Sequence, residues 1–265
     1  MKQDCRQAII LAAGRGSRLG QATAEQPKCL QPLAGLALLD WNLRALSECG
    51  IEQVLVIGGW RAECIERFPV ELRVHPRWAE TQSVGSLLQA ADWLQRAESL
   101  VMYGDGVYSP RVLRHVLGAA DADILVPGDR DWLSLWRRRF ENPLTDAESW
   151  RQDGNRLVEI GRRLTGYEQA TAQFAGLLRL RPAGWEKLNM LLKQIKHDGG
   201  QVALDRLDMT ALLDRALNAS IAVHCCSISG GWLEVDASTD LVAYEQALAA
   251  GGFSHDFRPT EACPA

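Results

Sequence analysis

The feature that most constrains the fold is an alternation of short apolar runs with helical patterns along the first half of the chain. The runs have strand length, and the predicted strands are Gln7–Ala12, Gln53–Ile57, Leu72–His75, Leu100–Tyr103 and Ile124–Val126. The helical patterns between them are Leu38–Glu48, Arg61–Arg67, Val84–Gln95 and Pro110–Leu117. Such alternation predicts an α/β fold with a Rossmann-like, mixed and mainly parallel sheet that helices flank, and with ligands at the carboxyl ends of its strands.

The second half of the chain departs from this rhythm after residue 128. The segment Arg130–Glu168 is rich in Trp, Arg and Asp, and we interpret the region of about residues 130–170 as a substrate-binding insertion. No linker is long enough to separate domains, so we expect a single domain over residues 1–252. Residues 253–265 are polar and contain proline, which predicts a flexible tail. The remaining predicted elements are strands at Gln173–Leu180 and Ile221–Ser227 and helices at Pro182–Lys196, Asp205–Leu217 and Thr239–Ala249.

The charge balance narrows the functions that the chain can have. The 265 residues contain 29 Lys and Arg against 33 Asp and Glu, a net charge of −4 without a long run of either sign. This balance argues against nucleic-acid and membrane-surface partners, which need a basic footprint, but it is compatible with a small anionic ligand. The N-terminal apolar run is too short for a signal peptide or a membrane span. Seven cysteines without a CxxC pair predict reduced thiols, no structural zinc and a cytoplasmic location.

A glycine-rich loop follows the first predicted strand. Gly14 and Gly16 let the backbone turn tightly and direct its N–H groups at phosphate oxygens, and Arg18 adds a forked donor suited to phosphate. Lys28, which follows Pro27, can reach a phosphorus atom under attack as a point charge. The loop is neither a Walker A motif nor a Rossmann fingerprint, because the spacing of its glycines and lysine differs from both. An ordinary tight turn explains the glycines alone, whereas Arg18 and Lys28 together favour phosphate binding.

Two acidic positions complete the candidate site. Asp105 follows an apolar strand, and Asp236 precedes the last predicted helix. Two carboxylates that converge repel each other unless a cation lies between them, and Mg²⁺ takes one or two carboxylates together with phosphate oxygens. We therefore predict Mg²⁺ at Asp105 and Asp236. The alternatives are a turn aspartate at the first position and a helix cap near the second.

The loop and its lysine also resemble a family signature. They read LAAGRGSRL…PKCL, which is similar to the motif of nucleotidyltransferases that join a nucleoside triphosphate to a sugar phosphate or a small phosphorylated acceptor. The resemblance implies a fold of the nucleotide-diphospho-sugar transferase type. It implies that Arg18 contacts the leaving phosphates, that Lys28 stabilises the transition state, and that Asp105 and Asp236 bind Mg²⁺; these four are the expected catalytic residues. The expected nucleotide-binding residues are Leu11, Ala12, Ala13, Gly14, Gly16, Ser17, Arg18, Gln82, Ser86 and Gly104.

The middle of the chain resembles one branch of that family. Its ordered motifs, among them Leu135-Trp136-Arg137 and Glu159-Ile160-Gly161-Arg162, are similar to those of cytidylyltransferases that act on phosphocholine and on phosphonates. The resemblance implies transfer of CMP from CTP to a small phosphonate, such as a hydroxyalkyl- or carboxyphosphonate, with release of pyrophosphate. Where relatives commonly have lysine after Ile-Gly, this chain has Arg162-Arg163, which can still bind a phosphonate with fork geometry. The expected acceptor-binding residues are Asp131, Trp132, Trp136, Arg139, Arg162 and Arg163.

Three alternatives stay open. A phosphocholine acceptor would need aromatic rings and a carboxylate around its ammonium, which Trp132, Trp136 and Asp131 could supply, but the neighbouring arginines favour an anionic acceptor. A sugar-1-phosphate nucleotidyltransferase is compatible, although the C-terminal hexapeptide repeats that such enzymes often carry are absent from this sequence. A non-catalytic nucleotide-binding regulatory subunit could dispense with Lys28 or Asp105, and this chain retains both. The oligomeric state is left open, with a homodimer compatible.

Overall fold

The computed structural model of the protein describes residues 7–259. Its strands are β1 (Gln7–Ala12), β2 (Pro32–Leu33), β3 (Leu36–Ala37), β4 (Gln53–Gly58), β5 (Glu71–Val74), β6 (Ser99–Tyr103), β7 (Gly106–Tyr108), β8 (Ile124–Asp129), β9 (Glu148–Asp153), β10 (Arg156–Arg163), β11 (Gln173–Phe174), β12 (Leu177–Leu180), β13 (His224–Ile228) and β14 (Trp232–Glu234). Its α-helices are α1 (Leu38–Glu48), α2 (Ser83–Leu88), α3 (Ala91–Arg96), α4 (Pro110–Gly118), α5 (Trp132–Arg139), α6 (Pro182–Asp205), α7 (Met209–Asn218) and α8 (Ser238–Ala250). Short 3₁₀ segments lie at Ser17–Thr23, Lys28–Leu30, Ala62–Ile65, Pro143–Thr145 and Tyr167–Gln169.

Within residues 7–259, ten strands form one central sheet in the order β5-β4-β1-β6-β12-β8-β13-β10-β9, with β11 paired to β8. The strands β5, β4, β1 and β6 run parallel to one another, as do β8 and β13. The strand β12 is antiparallel to both of its neighbours, and the hairpin β9–β10 extends one edge. The predicted fold class, a mixed and mainly parallel sheet flanked by helices, is confirmed.

The two faces of the sheet are covered by separate hydrophobic cores. Side chains of a strand alternate between faces, and the adjacent residues Ile9 and Ile10 of β1 are both at 0% exposure. Ile9 belongs to a core that includes Trp93 of α3 and Trp185 of α6, whereas Ile10 belongs to a core that includes Leu39 of α1. Burial on both sides makes β1 a central strand, and the glycine-rich loop therefore starts from the middle of the sheet.

A two-stranded sheet beside the central one joins segments that are distant in the chain. The strand β14 is antiparallel to β7, with Glu234 opposite Gly106. The pairing continues one residue further, because the backbone N–H of Val235 donates to the carbonyl of Asp105 at 3.0 Å. Since β7 directly follows β6, this ladder brings the segment after β14 to the carboxyl end of the central sheet.

Several elements differ from those predicted. The segment Arg61–Arg67 forms a 3₁₀ turn at Ala62–Ile65 rather than an α-helix, and the predicted helix Val84–Gln95 is divided into α2 and α3. The predicted strand Gln173–Leu180 is divided into β11 and β12 at Gly176, whose φ of 64° lies outside the range of a β-strand. The helix α5, the β9–β10 hairpin and the β7–β14 ladder were not predicted from the sequence.

The segment that follows α8 differs from the predicted flexible tail. Phe253, His255 and Phe257 are buried, with His255 at 0% and Phe257 at 1% exposure. The Nε2 atom of His255 lies 2.7 Å from a carboxylate oxygen of Asp129. Packing of two aromatic rings and a buried hydrogen bond therefore holds this segment against the domain. The end of the predicted tail, residues 260–265, lies outside the described residues.

Two further expectations concern the surroundings of the chain. No helix between residues 7 and 259 combines the length and the apolar character that crossing a bilayer requires. The cysteines between residues 7 and 259 form no disulfide bonds in the structure. They are Cys29, Cys49, Cys64, Cys225 and Cys226.

Candidate active site

The glycine-rich loop leaves the carboxyl end of β1 and folds against Lys28. Gly16 has a φ of 69°, in the left-handed region, and a Cβ at this position would lie 2.8 Å from Cδ of Lys28. The loop can approach the lysine this closely because residue 16 has no side chain. Thr23 fixes the loop, since its hydroxyl donates to the carbonyl of Gly16 at 3.1 Å.

Lys28 lies between the two predicted carboxylates. Its Nζ atom donates to Oδ2 of Asp105 and to Oδ1 of Asp236, each at 2.7 Å. Burial alone would lower the pKa of Lys28, whose side chain is 11% exposed, but attraction to the two aspartates raises that pKa above its ordinary value. Arg18 reaches the same Oδ1 atom of Asp236 at 3.0 Å from an exposed position. The structure therefore brings together all four residues predicted to be catalytic.

A further cation holds Asp236 from within the protein. The side chain of Arg139 has 0% exposure and donates to Oδ2 of Asp236 at 2.7 Å and to Glu234. Burial raises the pKa of Glu234 to about 7, and the attraction of Arg139 opposes this rise. The predicted role of Arg139 in acceptor binding is wrong for this structure, because carboxylates of its own chain occupy the guanidinium. Its position instead orients Asp236.

A cleft of about 420 Å³ opens beside the carboxyl ends of β1 and β6. All the residues predicted to bind the nucleotide line this cleft: Leu11, Ala12, Ala13, Gly14, Gly16, Ser17, Arg18, Gln82, Ser86 and Gly104. Lys28, Asp105 and Asp236 line it as well. Other lining residues were not predicted: Cys29, Trp78, Thr81, Ser83 and Tyr103. Tyr103 could have been found, because it ends a strand directly before Gly104, whereas no sequence pattern marks Trp78 as facing a ligand.

The two tryptophans predicted to contact the acceptor lie in the core. Trp132 and Trp136 are each 4% exposed and form part of the buried face of α5. The indole N–H of Trp132 donates to the carbonyl of Ala170 at 3.2 Å, and that of Trp136 donates to Asp146 at 3.0 Å. Their predicted contact with an acceptor is wrong for this structure, because the rest of the protein covers the aromatic face of the helix.

The other predicted acceptor residues are dispersed. Asp131 directly precedes α5, and its carboxylate accepts a hydrogen bond from the hydroxyl of Ser134 at 2.9 Å. Arg163 is exposed, whereas Arg162 lines a second cleft of about 430 Å³ between β10 and α7. The residues that line the second cleft are Glu148, Ile160, Gly161, Arg162, Asp208, Thr210, Ala211, Asp214, Arg215 and Asn218.

Asp105 and Asp236 fit the needs of a divalent cation. Both line the cleft and accept hydrogen bonds from one ammonium nitrogen at 2.7 Å, so the two carboxylates lie close enough together to share one cation. Two carboxylates are a donor set that Mg²⁺ would accept together with phosphate oxygens. The chemistry of the pair therefore agrees with the predicted Mg²⁺.

Comparison with known proteins extends this description. Residues 8–169 match the model of the MobA-like NTP transferase domain. The CTP:phosphoglutamine cytidylyltransferase of Campylobacter jejuni is 27% identical over 248 residues, which are 88% of this chain and 97% of that protein. The CMP-5'-(3-aminopropyl)phosphonate synthase of Streptomyces rubellomurinus is 30% identical over 123 residues, which are 43% of this chain and 19% of that protein. The inositol-1-phosphate CTP transferase from T. maritima has the same fold, with a TM-score of 0.71 and 18% identity over 93% of this chain and 98% of that one.

A mixed α/β sheet with a glycine-rich loop and a lysine–aspartate cluster at its carboxyl edge defines a nucleotide-binding enzyme. The family match covers more than half of the chain. This chain belongs to the family of the MobA-like NTP transferase domain and is a nucleotidyltransferase. The resemblance seen in the sequence to nucleotidyltransferases near the cytidylyltransferase branch is confirmed.

Proposed function

We propose that this chain transfers CMP from CTP to a small phosphonate and releases pyrophosphate. The observation that carries the proposal is the position of Lys28 Nζ, 2.7 Å from both Asp105 and Asp236 in the cleft that the glycine-rich loop borders. A fixed cation and two carboxylates beside a phosphate-binding loop are suited to substitution at a phosphorus atom of a triphosphate. We propose phosphonate biosynthesis as the corresponding pathway and the cytoplasm as the location.

The reaction depends on charge and position. An acceptor oxygen on phosphorus is ionised at neutral pH, so it attacks the α-phosphorus in line without a general base. Lys28 neutralises charge that develops on the α-phosphoryl oxygens, and Arg18 binds the leaving pyrophosphate from the exposed side of the cleft. Asp105 and Asp236 would hold Mg²⁺, which would supply further charge neutralisation at the phosphates. The nucleotidyl group passes directly to the acceptor, so no nucleophilic side chain is needed.

Two observations support CTP as the donor. The relatives from Campylobacter jejuni and Streptomyces rubellomurinus carry CTP or CMP in their names. Gln82 and Ser86 line the cleft together with the loop, and their amide and hydroxyl groups can hydrogen-bond the edge of a pyrimidine. We therefore propose that the loop binds the triphosphate and that the first turn of α2 contacts the base.

The second cleft is the proposed acceptor site, and two acceptor classes fit it. Arg162 and Arg215 can bind an anionic group, which supports a phosphonate. Glu148, Asp208 and Asp214 border the same cleft, so it offers both signs of charge. This mixture favours a phosphoglutamine-like acceptor as the second candidate, because an amino acid carries an ammonium and a carboxylate. Within the single domain that we propose, only residues 148–162 of the predicted insertion line this cleft, and residues 208–218 line its other side.

Release of pyrophosphate is the direct test. The protein is incubated with Mg²⁺ and CTP, UTP, ATP or GTP, each with a small alkylphosphonate, phosphoglutamine, phosphocholine or a sugar 1-phosphate. We expect turnover with CTP and with a phosphonate or phosphoglutamine. Turnover confined to phosphocholine or sugar phosphates would refute the proposed acceptors. Nucleotide binding without turnover in any combination would identify a non-catalytic regulatory subunit.

The role of Lys28 has a matched control in Lys187. Like Lys28, Lys187 forms a salt bridge at 2.7 Å, here with the carboxylate of Asp123. Unlike Lys28, it lies on α6, is 50% exposed and does not line the cleft. We expect Lys28→Met to lower kcat by about 10²–10³-fold, the usual cost of removing one donor that stabilises transition-state charge. Lys187→Met is expected to keep wild-type kcat. Equal turnover by the two variants would remove Lys28 from the reaction.

A further inference from the structure

Trp78 forms part of the wall of the nucleotide cleft, beside the end of β1. It lines the cleft together with Ala13, Gln82 and Ser86. A Cβ built on Gly59 would lie 2.5 Å from the carbonyl oxygen of Ala13 and 2.6 Å from Cβ and Cγ of Trp78. The base of the Trp78 side chain therefore packs against Gly59, close to the carbonyl of Ala13, on the wall of the cleft.

A second indole supports this wall from behind and connects it to the glycine-rich loop. The ring centroids of Trp60 and Trp78 are 5.8 Å apart at an interplanar angle of 59°. Trp60 donates its backbone N–H to Ala13 at 3.0 Å and its indole N–H to the carbonyl of Thr23 at 2.9 Å. The guanidinium of Arg15 lies 4.9 Å from the centroid of the Trp60 ring, within cation–π range. The wall and the loop are therefore one connected unit.

The turn that carries Trp78 is held on both sides. Arg77 forms two hydrogen bonds with the carboxylate of Asp205 at the end of α6, at 3.2 and 2.5 Å. The hydroxyl of Thr81 lies 2.7 Å from Nε2 of His75, which is 3% exposed. Contacts before and after Trp78 restrict the movement of the turn, so a large ligand would have to break them to displace the indole.

We infer that Trp78 limits the base-binding end of the cleft to a single-ring base. The inference rests on the proposed function in one respect, namely that Gln82 and Ser86 mark the side where the base binds. In this proposal the half-buried indole takes the space beside Ala13 that the second ring of a purine would need, and the contacts of Trp60, Arg77 and Thr81 keep it there. Exclusion by a fixed side chain discriminates against the larger base without requiring an additional contact to the smaller one.

Equilibrium binding tests this inference without an acceptor. Dissociation constants for CTP, UTP, ATP and GTP are measured by titration calorimetry in the presence of Mg²⁺, with wild type, Trp78→Ala, Trp78→Phe and Trp60→Phe. For wild type we expect tighter binding of the two pyrimidine nucleotides. Trp78→Ala should reduce the ratio of purine to pyrimidine dissociation constants by about tenfold or more, mainly through tighter purine binding. Trp78→Phe should give a smaller reduction.

The Trp60→Phe variant separates the wall from its support. It keeps an aromatic ring beside Arg15 and Trp78 but loses the indole donor to Thr23 of the loop, so it should shift the four affinities together and leave their ratio unchanged. Tighter binding of purines by wild type, or an equal loss of all four affinities in Trp78→Ala, would overturn the inference. Pyrimidine selectivity that depends on Trp78 in a protein without transfer activity would instead refute the proposed function and leave the inference intact. Circular dichroism of each variant verifies the fold.

Discussion

The guanidinium of Arg139 donates to the carboxylate of Asp236 at 2.7 Å from a position without solvent exposure. The arginine ends α5, whereas the aspartate lies in the short segment between β14 and α8. The other oxygen of the same carboxylate accepts a hydrogen bond from Lys28. Asp236 is therefore held from two directions, by Lys28 and Arg18, which line the cleft, and by Arg139, which lies inside the protein. Its orientation depends on a residue that does not line the cleft.

We predict that Arg139→Met destabilises the protein and lowers kcat more than it raises the KM for the nucleotide. Removal of the guanidinium leaves half-buried Glu234 without its ion-pair partner and leaves Asp236 with only its partners at the cleft, which costs at most about 3–5 kcal/mol of unfolding free energy. Denaturant titration measures the first effect and steady-state kinetics the second. Arg137→Met is the control, because Arg137 is exposed on the same helix. Wild-type stability and kcat in the Arg139 variant would show that the contact between Arg139 and Asp236 does not orient the aspartate.

Stability in acid should depend on Asp129, whose buried carboxylate accepts hydrogen bonds from His255, Trp232 and the backbone of Gly230. Burial alone would raise the pKa of Asp129, but the bonds from His255 and Gly230 outweigh it and hold this pKa below its ordinary value. The unfolded state therefore takes up the proton first as the pH falls. The stabilisation is complete above the unfolded pKa, about 3.9, and is lost as the pH falls through the lower folded value.

The corresponding prediction compares wild type with Asp129→Asn at several pH values. We expect the wild type to have the larger unfolding free energy at pH 7, and we expect the difference to shrink as the pH falls below about 4. Denaturant titrations of both proteins at pH 7, 4 and 3 measure this difference in unfolding free energy. If the difference stayed constant over this pH range, the ionised carboxylate of Asp129 would contribute no special stability.

The loop and Lys28 were predictable because they lie close together in the sequence, whereas the distant Asp105 and Asp236 were predicted with the help of the family resemblance. The strand, the glycines, Pro27 and Lys28 follow one another in a short stretch, so their combination is visible without a structure. The contacts of Arg139 were not predictable, because its partner Asp236 lies 97 residues away. The aromatic face of α5 was misread for a related reason. Whether such a face meets a ligand or the core depends on what packs against it, and here Trp136 lies beside Trp232 of β14 with ring centroids 6.4 Å apart.

The packing of the segment after α8 leads to a prediction about Phe257. Its ring is 1% exposed, and its centroid lies 5.3 Å from that of Trp41 in an edge-on arrangement. We expect Phe257→Ala to lower the unfolding free energy by about 3–5 kcal/mol, the usual cost of removing a buried phenyl ring. Val242→Ala is the control, because Val242 is 59% exposed on α8 and should change stability by no more than about 0.5 kcal/mol. Equal unfolding free energies of the two variants would show that the segment after α8 is flexible, as the sequence predicted.

The two glycines of the loop differ in what a side chain would meet, and this difference makes them a matched pair. At Gly16 a Cβ would lie 2.8 Å from Cδ of Lys28, and the φ of 69° disfavours any L side chain. At Gly14 a Cβ would meet no atom of the protein within 4 Å. Alanine at residue 16 must therefore displace the lysine or the loop, whereas alanine at residue 14 leaves the free protein unchanged.

We therefore predict that the two substitutions affect different kinetic constants. Gly16→Ala should lower kcat by up to about 10²-fold, because a shift of about 1 Å in Lys28 removes it from the position at which it neutralises charge. Gly14→Ala should keep the wild-type unfolding free energy, because its methyl group meets no atom of the protein, and should raise the KM for CTP, because Gly14 lines the cleft at the proposed phosphate-binding loop. Steady-state kinetics with varied CTP and a denaturant titration of each variant provide both measurements. If Gly16→Ala kept wild-type kcat while Lys28→Met lost activity, the lysine would have to reach the phosphate from a position other than the one between Asp105 and Asp236.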